Sequence, residues 1–337
     1  MHLLIDVRTS EREDTLHIRY AEIWARIWSS YFPHDRLTFL AYEGDMIERE
    51  DTILLSRRWG FGKKSLSHHI HGPQRIISFS RAAPIDKKIP TIAHLSDFTP
   101  LLYPRKSMNI LEKHLLKGQY KKLLKQSEHI IVPHQSVREG ICDFFSISGE
   151  NISVLPLLLE GTGEKKNSFE NRNAGEYMLT EGTPGNEWHP VDLIRQYSRY
   201  IHDLGGTRLL IILGDMGDNL GHLSSLIRSL DLVSHVKLMG TPRQIERAHL
   251  YDHASAFLAL GPYPSRVYSL SSALGRGIPS ILSDLDIFRE YGETLVHPHH
   301  STLLAETMKT LEKQERKTEI HSRNEAIIEE YKKIIAD

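Results

Sequence analysis

The residues best suited to chemistry lie between Gly261 and Asp284, where the chain reads Gly-Pro-Tyr-Pro-Ser-Arg-Val-Tyr-Ser-Leu-Ser-Ser-Ala-Leu-Gly-Arg-Gly-Ile-Pro-Ser-Ile-Leu-Ser-Asp. Arg266 and Arg276 bring positive charge, and Ser269, Leu270, Ser271 and Ser272 open a short helix of small residues after a Pro/Gly-broken loop. Unpaired backbone N–H groups at such a helix N-terminus can hold a phosphate or a sugar hydroxyl. A second candidate is the basic, histidine-rich stretch from Ser56 to Gly72, with Arg57-Arg58, Lys63-Lys64 and Ser67-His-His-Ile-His71. It holds no cysteine or carboxylate, so a solvated loop is the expected reading and no metal is assigned. Ligation by His68, His69 and His71, and a basic lip for an anionic lipid or nucleotide, stay open as alternatives.

Positioning the 261–284 stretch requires strands on both sides. Ala256-Phe-Leu-Ala-Leu260 reads as a buried parallel strand and Ser280-Ile-Leu282 as another, so the segment is a βαβ unit. The same alternation runs through the chain. Strands are expected at 3–7, 36–42, 51–55, 74–78, 90–94, 129–133 and 152–156, with helices at 16–31, 108–125 and 137–145, the last capped by Ser136. Residues 160–175 shift to Gly, Glu, Lys, Asn and Ser, the composition of a linker. Beyond it, strands are expected at 176–180, 208–213, 235–239, 256–260 and 280–282, and helices at 191–203, 222–230 and after Thr241-Pro-Arg. Gly214 to Gly221 reads as a flexible loop, and Glu312 to Asp337 as a charged helix. The helix at 108–125 is basic and amphipathic, with Ile110, Leu111, Leu115, Tyr120, Leu123 and Leu124 apolar, so membrane contact and a plain wet face both remain open.

The chain's 337 residues suit two α/β domains. Lys+Arg of 42 against Asp+Glu of 43 leaves a formal charge of −1, which argues against a nucleic-acid partner. Twenty histidines would make the chain distinctly positive in mild acid. The single cysteine, Cys142, leaves no intrachain disulfide and fits a reducing cytoplasm. Met1 leads straight into a strand-like segment and the apolar runs are too short to span a bilayer, so neither a signal peptide nor a membrane span is expected.

The order of motifs resembles the GT-B glycosyltransferases of the retaining family 4, or "group 1", type. That family's donor pattern reads roughly E-G-F-G-L-P-x-L-E-A-M-A-x-G-x-P-V-I-A-S-D, against which Ala273 to Pro279 and Ser283-Asp284 match. Its H-D-L-I-P-L-L-Y-P pattern is matched by Asp97, Pro100, Leu101, Leu102, Tyr103 and Pro104, and Arg19-Tyr20 match the end of its G-I-G-R-Y loop. The resemblance implies two doubly wound Rossmann-like domains facing across a cleft, with a C-terminal helix crossing back. The implied bounds are 1–158 on the acceptor side, a linker at 159–175, 176–315 on the donor side, and a helix at 316–337 packing toward the first domain.

The implied activity is transfer of a sugar from a nucleotide-diphosphate sugar to an acceptor hydroxyl with retention and without a metal or other cofactor. The implied acceptor is a glycan, lipid or protein, and the site is cytoplasmic or peripheral at the inner face of the membrane. The resemblance places donor binding at Gly182, Thr183, Glu187, Trp188, Arg266, Ser269, Leu270, Ser271 and Ser272. It places catalysis at His94, Ser96 and Asp97, and acceptor-side contacts at Arg19 and Tyr20.

The chemical positions depart from the pattern together. Its glutamates fall on Pro264 and Ser272, its diphosphate Arg and Lys on Glu187 and Trp188, its acceptor histidine on Ser96, and its loop glycines are missing. His94, two residues before Ser96 and on the same side of an extended strand, is the candidate substitute for that histidine. Trp188 either stacks on a base or sugar or packs in its turn. Two readings follow: a glycosyltransferase with a rewired site, in which Arg266, Arg276 and the helix start carry the donor, or an inactive relative serving as a binding or partner subunit.

Overall fold

The structure, a computed structural model, describes residues 1–8, 16–45, 47, 49–56, 72–80, 82, 84–95, 101, 110–161, 177–182, 188–217, 219–261, 267–291, 293–297, 303–316 and 322–336. These residues form two compact units: Met1–Leu158 with Arg323–Asp337, and Leu159–Ser322.

The first unit is a parallel sheet of seven strands: β1 His2–Asp6, β2 Arg36–Tyr42, β3 Thr52–Leu55, β4 Arg75–Ser78, β5 Thr91–His94, β6 His129–Val132 and β7 Ile152–Val154. Its order is β3-β2-β1-β4-β5-β6-β7. The chain winds outward one way from β1 and then returns to build the other side, so the order reverses between β1 and β4. Burial on both faces is why these strands read as apolar runs rather than alternating ones. Leu4, Leu40, Leu55 and Ile76 pack together on one side of the sheet.

Among the described residues this first half carries α1 Leu16–Tyr31, α2 Ile110–Gln126 and α3 Gln135–Phe145. On α1, Trp24 and Trp28 are both fully buried and stack at 5.0 Å. The expected apolar face of α2 is corrected. Leu116, Tyr120, Leu123 and Leu124 face inward, whereas Ile110, Leu111 and Leu115 are exposed. The expected cap of α3 is corrected too: the helix begins before Ser136, and His134 caps it by accepting from the Ser136 N–H at 3.1 Å.

The second unit is a parallel sheet of six strands: β8 Tyr177–Glu181, β9 Leu209–Leu213, β10 Val236–Leu238, β11 Ala256–Ala259, β12 Ser280–Ser283 and β13 Thr294–Val296. The order β10-β9-β8-β11-β12-β13 repeats the doubly wound pattern, reversing between β8 and β11. Its helices are α4 Pro190–His202, α5 Asn219–Ser229, α6 Gln244–His253, α7 Val267–Leu274, α8 Asp286–Arg289 and α9 Leu304–Leu311. Helix α5 begins inside the segment expected as a flexible loop. Helix α6 starts three residues past Thr241, where Glu246 accepts the Arg243 N–H at 3.0 Å.

The expected continuous helix over Glu312 to Asp337 is broken. Glu312 is the C-cap of α9, and its carboxylate accepts from Tyr200 Oη and from the Thr207 N–H. The final helix, α10 Ser322–Ala336, groups with the first unit, where Tyr331 packs edge-on against Trp24 at 5.9 Å. Among the described residues no helix is long and apolar enough to cross a membrane, and no cluster of His, Cys, Asp or Glu could hold a metal ion.

Candidate functional site

In doubly wound sheets, ligands bind outside the carboxyl ends of the strands where the strand order reverses. In the second unit that place lies between β8 and β11, and α7 starts beside it. The last residue of β8 is Glu181, only 3% exposed. Its carboxylate accepts from Ser269 Oγ at 2.6 Å and Tyr251 Oη at 3.1 Å, and pairs with Arg247 from α6. A buried carboxylate is tolerable because three donors from two helices surround it. Arg247 uses Nη1 on Glu181, while its buried Nη2 has no hydrogen-bond partner among the described residues. Such an orphaned cationic donor costs free energy unless something anionic or polar meets it.

One turn further along α7, Ser272 Oγ donates to Glu160 Oε2 at 2.6 Å. Arg276 donates to the same oxygen at 2.8 Å and to Asp252 Oδ1 at 2.9 Å. The Arg276 side chain is 5% exposed. Burial acts to lower its pKa, but Glu160 and then Asp252 outweigh that, and the pKa is raised. Gly275 makes the arrangement possible: a Cβ there would run into the backbone of Glu160.

Gly182, just after β8, is also fixed by close packing. A Cβ at that position would come within 2.6 Å of Met216 Sδ and 3.0 Å of the Trp188 ring. Trp188 is wholly buried in a core with Met178, Leu193, Ile194 and Ile212, so its ring has no face open to a base or sugar.

In the first unit the order reverses between β1 and β4. There Arg8 makes a two-pronged pair with Asp6, Nε to Oδ1 at 2.8 Å and Nη2 to Oδ2 at 2.7 Å, both residues being buried. Burial opposes the guanidinium's charge, but Asp6 and then Tyr42 outweigh it and raise its pKa. Ser80 Oγ, from just past β4, donates to the Arg8 carbonyl at 2.6 Å.

The residues expected on the acceptor side lie deeper. Tyr20 is 0% exposed, and its hydroxyl accepts the Leu158 N–H at 2.9 Å. Burial pushes its pKa well up. His94 is 2% exposed, among the rings of Tyr20 (5.2 Å), Phe79 (5.1 Å) and Tyr331 (6.4 Å). Burial lowers its pKa to about 3, so the imidazole is neutral at pH 7. So enclosed, the ring packs as part of an aromatic cluster at the end of β5. Arg19 is half-buried on α1.

Of the remaining donor candidates, Ser269, Leu270, Ser271 and Ser272 are brought together on α7 and all are buried. Arg276, expected with Arg266 and the helix start to carry the donor, pairs with two carboxylates, Glu160 and Asp252. Ser96, Asp97, Thr183, Glu187 and Arg266 lie outside the described residues, as do His68, His69 and His71. Sequence reasoning missed Glu181, Arg247, Tyr251 and Glu160. Only Glu181 carried a signal, a charged residue ending an otherwise apolar strand.

No family model matches the chain, and no curated protein is significantly similar to it. Solved structures do match. The glycosyltransferase WaaG of lipopolysaccharide biosynthesis is 13% identical with a TM-score of 0.60, over 99% of this chain and 95% of that one. HepE of Anabaena, solved with UDP and glucose, is 14% identical with a TM-score of 0.61, over 100% of this chain and 95% of that one. Sucrose-phosphate synthase from Thermosynechococcus elongatus is 12% identical with a TM-score of 0.62, over 100% and 96%. Against TarM of S. aureus the match spans 55% of that protein's length. The chain therefore has the GT-B glycosyltransferase fold.

Proposed function

We propose that the protein binds a nucleotide-diphosphate sugar at the second unit's strand-order reversal and transfers the sugar to an acceptor hydroxyl. The observation that carries this reading is the Glu181–Arg247–Ser269 cluster, which sets a buried cation with an orphaned donor beside the start of α7. An anionic leaving group needs preorganised donors or positive charge where its charge develops. Arg247 and the helix start supply these without a metal. Two of the similar structures support the choice of ligand: HepE was solved with UDP-glucose, and the pneumococcal GtfA with UDP and GlcNAc.

A second reading, a GT-B protein acting as a binding or partner subunit, is favoured by a different observation. The hydroxyls of Ser269 and Ser272 are already committed to Glu181 and Glu160, and both acceptors are carboxylates that would repel a diphosphate.

Thermal unfolding with UDP, GDP, ADP and their sugar conjugates separates the two. A ligand at 100 times its dissociation constant adds about 2.7 kcal/mol, which for a chain of this size moves the midpoint by at least ~2 °C. The expected result is a shift with one nucleotide that Arg247→Ala abolishes. Folded protein that ignores the whole panel overturns the donor reading in favour of the partner subunit.

A further inference from the structure

Arg247 is held where it cannot meet a ligand as it stands. Its side chain is 11% exposed and that of Glu181 is 4% exposed. Nη1 goes to Glu181 Oε1, and Nη2 lies out of contact with solvent with no hydrogen-bond partner among the described residues. For an anion to reach Nη2, the guanidinium has to move.

The two partners differ in how firmly they are fixed. Glu181 ends β8, a strand paired with β9 on one side and β11 on the other. Its carboxylate also accepts from Ser269 Oγ at 2.6 Å and from Tyr251 Oη at 3.1 Å, so it keeps two donors if Arg247 leaves. The backbone of Arg247 closes the first turn of α6, its N–H donating to the Arg243 carbonyl at 2.9 Å. The charge, however, sits at the end of a long stem with much rotamer freedom. The carboxylate is the fixed member of the pair and the guanidinium the movable one.

We propose that Glu181 competes with the ligand for Arg247, so that an anion binds by exchanging its own oxygens for the Glu181 carboxylate. This rests on the donor reading for the identity of the ligand, while the competition applies to any phosphate anion at the site. The pair lowers affinity by the fraction of molecules in which Arg247 is withdrawn. A singly charged ligand only equals the carboxylate that it displaces. The exchange therefore favours a group with more than one negative charge, as a diphosphate has.

The test is calorimetric titration of the full chain with UDP, GDP, ADP and inorganic pyrophosphate, comparing wild type with Glu181→Gln. Glutamine keeps an oxygen for the hydroxyls of Ser269 and Tyr251 and removes the charge that holds Arg247. Each anion that binds the wild type should bind the variant about tenfold tighter, by one common factor, because the same competitor is removed for all. Arg247→Ala should cancel that gain. If circular dichroism shows Glu181→Gln unfolded, Glu181→Asp keeps the charge, draws the carboxylate back by one methylene, and should give a smaller gain. Equal or weaker binding by the folded variant overturns the proposal and leaves the donor reading intact. A gain that survives Arg247→Ala also overturns it, because loss of a negative charge alone would then explain it. Tighter pyrophosphate binding with no response to any nucleotide keeps the competition and overturns the donor reading. No binding of any anion to wild type or variant overturns both.

Discussion

The two sheets reverse their strand order in the same way, but the ring cluster of the first unit and the ion pairs around α7 in the second are built from opposite materials. In the first unit, Tyr20, His94, Phe79 and Tyr331 make an aromatic cluster with a neutral imidazole inside it. In the second, Glu181, Arg247, Glu160, Arg276 and Asp252 make two sets of ion pairs around α7. Ring packing has no net charge to satisfy, so removing one polar atom from it is a local loss. An ion-pair set fails differently, because taking away one partner leaves the other charged and buried. The first region should therefore be sensitive to protonation of one group, and the second to loss of any single charge.

The largest effect is expected from Arg276→Ala. It leaves Glu160 and Asp252 without their shared cation, and breaking a buried pair in this way costs about 3–5 kcal/mol. Denaturant unfolding followed by a probe in the second unit should show that loss. A change below about 1 kcal/mol, the range of exposed pairs, would mean that the two carboxylates are solvated and that the contrast between the regions is false.

The next effect is on pH dependence. The His94 pKa is about 3 in the folded chain, against an ordinary value near 6.5, because burial disfavours the charged ring. Between those two values the unfolded chain binds the proton that the folded chain refuses, so stability falls as pH falls from about 6.5 toward 3. The slope for one group is about 1.4 kcal/mol per pH unit, or roughly 2.7 kcal/mol at pH 4.5. His94→Phe keeps a ring in the cluster and removes the titration. Unfolding of the variant and wild type from pH 7 to 4.5 should converge or cross as the wild type weakens. Parallel profiles would show that His94 is not the acid-sensitive group.

The backbone plan is legible in the sequence because both sheets are buried on two faces. Runs such as Leu210-Ile211-Ile212-Leu213 and Ala256-Phe257-Leu258-Ala259 have no other sensible reading. The wiring of the site is not legible. Glu160 reaches Ser272 across 112 positions of sequence, and Glu181 reaches Ser269 across 88, separations at which local pattern carries no information. Arg276 looks like a free cation because its neighbours in sequence are Gly275 and Gly277, whereas its partners are the distant Asp252 and Glu160. The start of helix α2 deceives for a related reason. Its apolar residues match a helical period, but period alone does not say whether the opposing surface continues that far.

The smallest effect tests the aromatic region by a single atom. Tyr20→Phe keeps the ring that contacts His94 and Phe79 and removes only the hydroxyl that accepts the Leu158 N–H at 2.9 Å. The buried Leu158 N–H loses this acceptor, so the cost should be about 1–2 kcal/mol, the ordinary scale for one lost buried hydrogen bond. It should be nearly independent of pH from about 7 to 5, because no ionised group takes part. A cost as large as that of Arg276→Ala would mean that the hydroxyl anchors more than one backbone bond, and the aromatic cluster would then depend on its polar edge as the second unit depends on its charges.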